Sequence, residues 1–314
     1  MKTALLFPGQ GSQQPGMLQL LPAQHPVVAD VFEVAESVLN CSVYSLDSAM
    51  AFSSTVNVQL CLLIAGVIAA RRLIAQGIKP DFVAGHSVGA FAAAVINGVI
   101  SFKQAIGLVN SRASLMENAF PKHYGMAALV GFTQSRLKPY LEKHNNAHST
   151  IFLANINAAD QMVVAGRTDS IDLLIQELKK AGIQKAKFLN VSVPSHCQLL
   201  AGVSEALKQQ METLPFNEPT IPYASNSTGR LLKTGDAIKK DLWLSISTTV
   251  KWFDATTLIY ESGARLFIEM EPSGVLAKIA AATFPDATVW NVNETQIDHL
   301  GIAWNNYQNK ESNT

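Results

Sequence analysis

The residues best suited to chemistry lie at positions 85–89, which read Gly-His-Ser-Val-Gly. This segment matches G-x-S-x-G, follows a run that predicts a strand and precedes a run that predicts a helix. A sharp strand–turn–helix connection exposes a serine hydroxyl, and the amide of Val88 then lies at a helix N-terminus, where it can stabilise an oxyanion. The segment therefore predicts a nucleophile, Ser87, with His86 lining its site.

A nucleophilic serine needs a neighbouring base, which is most often a histidine. Among the seven histidines, His196 stands out because it follows an apolar run at 191–193 that predicts a strand ending at Pro194. In open α/β sheets, ligands bind in a crevice at such strand ends. The residues alone leave two interpretations of His196 open, a catalytic base and a buried structural histidine.

The elements that would position these residues alternate between short β-rich runs and longer helical runs, a pattern typical of an α/β fold. In the first part of the chain we predict strands at 3–7 and 81–84 and helices at 56–76, 88–96 and 101–116. Ser87 would then lie between the second strand and the helix that follows it.

The middle of the chain has a different pattern. Runs at 125–132, 151–154, 162–165 and 185–191 predict strands, and runs at 134–143 and 170–180 predict helices. This β-α-β-β-α-β order is that of a ferredoxin-like unit. We therefore expect a small inserted domain at 122–190 within a larger domain made of 1–121 and 191–314.

Composition excludes several classes of function. The 314 residues carry 24 basic and 24 acidic side chains, and this balance argues against a nucleic-acid-binding protein. Three scattered cysteines do not form a disulfide framework or a metal site. The most apolar run, 58–70, is too short for a membrane span and predicts a core helix. We expect a soluble cytoplasmic protein with no metal and no membrane or nucleic-acid partner.

Four separated segments, in order, resemble the malonyl-CoA:acyl-carrier-protein transacylase family. They are residues 7–13 (Phe-Pro-Gly-Gln-Gly-Ser-Gln), 85–89, 112–116 and 191–196 (Val-Ser-Val-Pro-Ser-His), and residues 269–274 form a weaker fifth match. The resemblance covers nearly the whole chain. It implies an α/β-hydrolase-like core with a parallel sheet, and the inserted ferredoxin-like (βαββαβ) subdomain is also a feature of that family.

The resemblance also implies roles for the matching positions. Ser87 would accept the acyl group, His196 would act as general base and then acid, and the backbone carbonyl near Ser245 would orient the imidazole. Arg112 would bind the free carboxylate of a malonyl group with its planar, charged fork of donors.

Further positions follow from the same resemblance. The backbone amides of Gln10 and Val88 would form the oxyanion hole. Polar residues that would flank the substrate are His86, Asn155, Asn157 and Asn226. No bound cofactor is implied, because the acceptor is a phosphopantetheine-type thiol carried on an acyl carrier protein, and malonyl-CoA is the donor.

The chain departs from the family pattern at Ala90, where the family commonly has an acid, and at Ala113, where it has glycine. With Phe91 and the segments 54–60 and 124–128, these departures resemble the epsilon subunit of malonate decarboxylase. We therefore expect malonyl transfer to the carrier protein of malonate decarboxylase, with that enzyme's other subunits as further partners. The alternative within the family is the transacylase of fatty-acid or polyketide synthesis.

Two interpretations lie outside malonyl transfer. A serine esterase or thioesterase would need an acid beside the base, and the candidates between Ser87 and His196 all fall in the inserted domain: Asp160, Asp169 and Asp172. A docking subunit without turnover is suggested by the substitutions at Ala90 and Ala113. It is disfavoured because every residue with a direct chemical role is present.

Overall fold

The computed structural model describes residues 2–119, 123–145, 150–191, 193–272 and 274–292, with residues 297, 300, 301 and 304. The strands are β1 (Lys2–Phe7), β2 (Phe82–Gly85), β3 (Tyr124–Val130), β4 (Ile151–Ala158), β5 (Gln161–Arg167), β6 (Lys185–Phe188), β7 (Tyr223–Ala224), β8 (Leu231–Leu232), β9 (Ala264–Glu269) and β10 (Thr288–Asn291). The helices are α1 (Pro26–Leu39), α2 (Thr55–Ala75), α3 (Gly89–Ile96), α4 (Phe102–Ala119), α5 (Gln134–His144), α6 (Thr168–Lys180), α7 (Ala201–Glu212), α8 (Gly235–Leu244), α9 (Trp252–Glu261) and α10 (Val275–Thr283).

The larger of the two sheets in the described part of the chain has six strands in the order β10-β9-β1-β2-β7-β8. All neighbouring strands are parallel except β7 and β8, which are antiparallel. In the centre of the sheet, Phe7 of β1 is paired with Gly85 of β2. The carboxyl ends of these two strands therefore lie side by side, and the chain segments that follow them begin next to each other.

Helices cover both faces of this sheet. Leu5 and Phe7 pack into a core with α1, α2, α3, α4, α7 and α8, whereas Ala4 and Leu6 pack against α9 and α10. The alternation arises because successive side chains of a strand point to opposite faces. The sheet is thus the middle layer of three, as expected for parallel strands that are buried on both sides.

Helix α2, with 21 residues, is the longest described helix of this core. In the part of the chain that the structure describes, it is also the one helix long and apolar enough to cross a membrane by length and composition. However, 83% of its apolar window is buried within the protein. The long apolar run is thereby accounted for as a core helix.

The second sheet is antiparallel, with four described strands in the order β4-β5-β3-β6. Helices α5 and α6 cover one face, where Ala127 and Leu129 of β3 are buried. The opposite face carries Met126 and Ala128 of the same strand, which line a cavity shared with the larger sheet. Strand β4, whose Asn155 and Asn157 also line the cavity, is bonded to the segment before α9, because Ile156 donates its backbone N–H to the carbonyl of Val250.

The predicted strands and helices are all present up to position 188, with ends that differ by a few residues. Two expectations are wrong. The loop placed at 157–160 begins later, because Asn157 belongs to β4, and the apolar run at 191–193 does not continue as a strand, because β6 ends at Phe188. Val193 is instead buried in the large core as a loop residue. The predicted boundary at 121/122 and the motif residues Ser192 and Ser273 lie outside the described residues.

Glycines permit the close crossing at the connection between β2 and α3. A Cβ atom at Gly89 would lie 2.2 Å from the carbonyl oxygen of Phe7, and a Cβ at Gly85 would lie 2.2 Å from the backbone of Gly89. Both contacts are with backbone atoms, which cannot rotate away. The connection can therefore pack against the end of β1 only when these side chains are absent.

We predict that Gly89→Ala lowers the free energy of unfolding by about 3 kcal/mol, because the new methyl group overlaps a carbonyl oxygen. The matched control is Gly107→Ala in α4, where a Cβ meets no atom within 4 Å. That substitution should raise stability by about 1 kcal/mol, since alanine favours helix more than glycine does. Urea-induced unfolding of both variants measures the difference, and equal stabilities would contradict the proposed steric origin.

Candidate active site

The structure places Ser87 at the turn between β2 and α3. Its backbone φ is +55°, a left-handed conformation that non-glycine residues rarely adopt. The chain is held there by the bond from the His86 N–H to the Phe7 carbonyl and by the bond from the Gly89 N–H to the His86 carbonyl. The tight turn lifts the hydroxyl of Ser87 out of the sheet and into the cavity.

His196 reaches the same point from a loop between β6 and α7. Its backbone also has a positive φ, +63°, and its N–H donates to the carbonyl of Ile246 at 2.8 Å. The sequence predicted His196 at the end of a strand, and this was wrong. The residue is positioned by the backbone that follows α8, to which both its main chain and its ring are bonded.

Ser87, His196 and Ser245 form a continuous hydrogen-bonded chain. The Nδ1–H of His196 donates to the backbone carbonyl of Ser245 at 2.6 Å, and Ser87 Oγ lies 2.8 Å from His196 Nε2. A carbonyl oxygen can only accept, so Nδ1 carries the proton of the neutral ring and Nε2 is left as the acceptor. The hydroxyl of Ser87 thus donates to Nε2, which is the geometry required for removal of its proton.

The imidazole of His196 is neutral at physiological pH. Burial is the largest cause and lowers the pKa of His196 to about 3. The bond to the Ser245 carbonyl acts in the opposite direction, and the positive charge of Arg112 lowers the pKa further. Burial likewise lowers the pKa of His86 to about 4. Both rings are therefore uncharged, and a neutral His196 can accept a proton.

Arg112 brings a buried positive charge to the serine. Its side chain is 1% exposed, one terminal nitrogen donates to Ser87 Oγ at 3.3 Å and the other donates to Gln59 Oε1. Its Nε has no hydrogen-bond partner, and no carboxylate of the described residues pairs with it. Burial lowers the pKa of Arg112 to about 10. A buried guanidinium without a counter-ion destabilises the fold, and binding of an anion would remove this cost.

Gln59 was not identified from the sequence. It lies on α2, is almost fully buried, lines the cavity and holds Arg112 through its side-chain oxygen, while its amide nitrogen faces Met116 Sδ at 3.7 Å. A buried glutamine in an otherwise apolar helix was the available signal, because a polar group without a partner is costly in a core.

The cavity above Ser87 has a volume of about 250 Å³. Its walls come from the loop after β1, from α2 and α4, from the open face of the small sheet, and from the first turns of α10. Ser87, His196 and Gln59 lie among the lining residues. The described residues contain no group of three or more histidines, cysteines and acids that could hold a metal ion.

Three polar residues expected near the substrate form one cluster in the cavity wall. His86 Nε2 lies 3.2 Å from Asn157 Oδ1 and 3.0 Å from Asn155 Nδ2. Asn155 Oδ1 is buried and has no partner among the described residues. All three residues line the cavity.

The Gln10 and Val88 amides, expected as the oxyanion hole, flank the serine. Gln10 lines the cavity next to Gly9, whose missing Cβ lets this loop approach the carbonyl of His86. Val88 follows Ser87 directly. Neither N–H donates to an acceptor among the described residues. Both amides are thus free to bind a developing negative charge.

Asn226 was expected to contact substrate, and in the structure its side chain bonds to the serine turn. Its side-chain oxygen accepts the N–H of Ser87 at 3.0 Å, and its side-chain nitrogen donates to the carbonyl of Gly85 at 2.8 Å. The residue is buried and does not line the cavity. Asn226 braces the backbone of the turn that carries the nucleophile, and no polar atom of its side chain remains for a ligand.

Comparison with known proteins gives consistent results. The family described as "Acyl transferase domain" matches residues 4–300. The malonyl CoA-acyl carrier protein transacylase of Escherichia coli K12 is 32% identical over 296 residues, which is 93% of this chain and 96% of the relative.

Two solved structures have the same fold. An acyl carrier protein S-malonyltransferase from Vibrio cholerae superposes with a TM-score of 0.90 at 32% identity, covering 96% of this chain and 100% of that one. A malonyl-transacylase in complex with its type II PKS acyl-carrier protein superposes with a TM-score of 0.89 at 31% identity, covering 95% of this chain and 97% of that one. The chain is an acyltransferase that belongs to the malonyl-CoA–acyl carrier protein transacylase family.

Proposed function

We propose that the protein transfers a malonyl group from malonyl-CoA, through an ester on Ser87, to the phosphopantetheine thiol of an acyl carrier protein of fatty-acid or polyketide synthesis. The observation that carries the proposal is the buried, unpaired guanidinium of Arg112 next to the bonded pair of Ser87 and His196. A base-activated serine indicates acyl transfer, and a buried cation beside it indicates an acyl group that carries a carboxylate.

In the first half-reaction, Ser87 Oγ attacks the thioester carbon while its proton passes to Nε2 of His196. The oxyanion of the tetrahedral intermediate accepts the N–H groups of Gln10 and Val88. Collapse of the intermediate breaks the C–S bond, and the leaving coenzyme A thiolate takes the proton from the imidazolium. The bond to the Ser245 carbonyl stabilises that transient charge. A malonyl-serine ester remains.

The second half-reaction reverses these roles. The carrier thiol donates its proton to His196 and its sulfur attacks the ester carbon, again with the oxyanion held by the two amides. Collapse breaks the bond to Ser87 Oγ, which recovers the proton from the imidazolium.

We assign the acceptor carrier protein from the relatives of this chain rather than from the positions where its sequence departs from the family pattern. The relatives described above are transacylases of acyl carrier proteins, one of them bound to a polyketide carrier, so they favour this alternative over the expected carrier of malonate decarboxylase. Ala90, Phe91 and Ala113, which suggested the decarboxylase subunit, are all buried in the helical core and do not line the cavity. These three substitutions therefore lie outside the cavity lining, whereas the segments 54–60 and 124–128 contribute Gln59, Met126 and Ala128 to it.

Domain organisation is part of the same proposal. We assign residues 1–121 and 191–314 to an α/β-hydrolase-like core and residues 122–190 to a ferredoxin-like subdomain, in a cytoplasmic enzyme. The parallel sheet with a serine turn after β2 supports the first assignment. The order β3-α5-β4-β5-α6-β6, with β3 and β5 in the middle of the antiparallel sheet, supports the second.

An esterase is disfavoured by the partner of the histidine. His196 Nδ1 donates to a backbone carbonyl, whereas a hydrolase triad of this kind places an acid there. The acids considered from the sequence, Asp160, Asp169 and Asp172, are exposed on the small domain. Asp169 is paired with Arg167.

We predict that incubation with malonyl-CoA adds one malonyl group to the protein, on the peptide that contains Ser87, and that Ser87→Ala abolishes the adduct. Intact-protein and peptide mass spectrometry measure both. Because a transferase holds its acyl group until a thiol arrives, the adduct should persist without an acceptor. Release of free malonate faster than transfer to a carrier thiol would favour an esterase and contradict the proposal.

We predict that Arg112→Ala lowers malonyl transfer about 100-fold or more, because the substrate carboxylate loses its buried partner. Acetyl transfer should stay unchanged or rise, since an acetyl group leaves the guanidinium unpaired. The matched control is Arg71→Ala on α2, an arginine paired with Asp30 at the surface, which should affect neither substrate. Steady-state rates with malonyl-CoA and acetyl-CoA test this, and equal losses for both would exclude Arg112 as the carboxylate ligand.

We predict that acyl-enzyme formation is nearly independent of pH from about pH 8 down to about pH 5, because His196, with a pKa of about 3, stays unprotonated there. If the base had the ordinary histidine pKa of 6.5, half of the activity would be lost near pH 6.5. The measurement is kcat/KM for malonyl-CoA as a function of pH, and an acid limb centred near 6.5 would contradict the prediction.

The control for this profile is the folded fraction at each pH. The pKa values of His86 and His196 in the folded state lie below 6.5, so the unfolded chain binds more protons than the folded one between about pH 4 and 6.5. Stability therefore falls as the pH falls through this window. Circular dichroism at each pH separates loss of fold from loss of base function.

A further inference from the structure

A buried acid outside the cavity accepts an unusual number of hydrogen bonds. Asp241 of α8 is 2% exposed, and its two carboxylate oxygens accept from the hydroxyl of Tyr223, from the hydroxyl and N–H of Ser227, from the hydroxyl of Ser225 and from the N–H of Asn226. Four of these donors lie in three consecutive residues, 225–227. The carboxylate therefore fixes the conformation of the turn that follows β7.

That turn holds the nucleophile. All four polar groups of Asn226 are bonded: its N–H to Asp241, its carbonyl to the N–H of Lys251, and its side-chain amide to the N–H of Ser87 and the carbonyl of Gly85. The left-handed backbone of Ser87 costs free energy and persists only if its surroundings impose it. Asn226 supplies the bond to the N–H of Ser87 itself.

The same helix also leads to the support of the base. Helix α8 ends at Leu244, and Ser245, whose carbonyl accepts Nδ1–H of His196, is bonded through its own N–H to the carbonyl of Asp241. The side chain of Asp241 thus points to the turn that holds Ser87, while its helix carries the carbonyl that holds His196. One residue connects the two halves of the catalytic pair.

We propose that Asp241 is a positioning residue, which sets the distance between Ser87 Oγ and His196 Nε2 by tying helix α8 to Asn226. The inference is tested by two acylation rates, and one of them, the rate of malonyl-enzyme formation, rests on the proposed function. Asp241 touches neither the cavity nor the reacting atoms, so it acts through Asn226.

Asp47 provides a comparison for an acid with a structural role alone. It is fully buried and accepts the backbone N–H groups of Gly16, Leu18 and Gln19. None of these three residues lines the cavity. Loss of either carboxylate should therefore destabilise the fold, but only the loss of Asp241 should change the reactivity of Ser87.

The test is a double-mutant cycle of Asp241→Asn and Asn226→Ala in the full-length protein. Each single variant should slow acylation of Ser87 by about 10- to 100-fold, since small displacements of reacting groups have effects of this size. If Asp241 acts through Asn226, the double variant should be within about threefold of Asn226→Ala alone. The KM for malonyl-CoA should change less than twofold, because Arg112 and the cavity walls are intact.

Two probes separate this inference from the proposed function. Acylation is followed with malonyl-CoA and, independently, with phenylmethylsulfonyl fluoride, which sulfonylates an activated serine with loss of fluoride. Wild-type protein that reacts with the fluoride but not with malonyl-CoA would refute malonyl transfer, and the cycle would still be measured with the fluoride. Reaction with neither probe would overturn both.

The controls exclude a general loss of fold. Asp47→Asn should lower the melting temperature but leave both acylation rates unchanged below it. Effects of Asp241→Asn and Asn226→Ala that multiply, or unchanged acylation in D241N, would overturn the proposal. If D241N fails to fold, Ser227→Ala is the substitute, because it removes the hydroxyl donor of one residue to the same carboxylate. It should slow acylation of Ser87 less than D241N would, and it should cause no further slowing when combined with Asn226→Ala.

Discussion

The site depends on two buried groups that contact the same hydroxyl. One is a neutral imidazole and the other is a charged guanidinium. Ser87 Oγ lies 2.8 Å from Nε2 of His196 and 3.3 Å from Arg112. Burial lowers the pKa of both groups, and the charge of Arg112 lowers that of His196 further. Such an arrangement is unfavourable without a compensating anion, so the surrounding structure has to impose it.

Substrate binding would relieve this strain in the proposed reaction. A malonyl carboxylate paired with Arg112 cancels the positive charge that depresses the basicity of His196. The imidazolium that forms as Ser87 attacks then develops next to a neutral ion pair instead of a bare cation. An acetyl group brings no such compensation. Selectivity for a carboxylated acyl group would therefore act on the chemical step as well as on binding.

The sequence predicted the serine turn because its determinants are local. Glycines at 85 and 89, a strand before and a helix after are adjacent in the chain, and the elements were found close to their predicted ends. His196 could be nominated from its position in a motif, and the family resemblance suggested the Ser245 carbonyl as its partner, but the residues alone did not predict this contact. The left-handed backbone of His196 and its bonds to Ile246 and Ser245 depend on contacts some 50 residues away in the chain.

Long-range polar contacts limited the prediction elsewhere too. Asn226 was expected to face the substrate because the family resemblance places it at a polar position that flanks the site. Its actual partners, Ser87 and Gly85, are about 140 residues away in sequence. Gln59 was hidden within an apolar helix, where composition suggested only core. Periodicity identifies which face of an element is buried, whereas it carries no information on which polar group a buried side chain meets.

The carbonyl that orients His196 also fits an anionic substrate. An aspartate in place of the Ser245 carbonyl would hold Nδ1–H equally well, but it would add a buried negative charge close to Arg112. That charge would compete with the malonyl carboxylate for the guanidinium and repel it. A carbonyl orients the ring and stabilises the imidazolium as a dipole, without net charge. Arg112 is the single unpaired charge among the described groups around Ser87, so one anion neutralises the site. In the proposed reaction, the carboxylate of the acyl group is that anion.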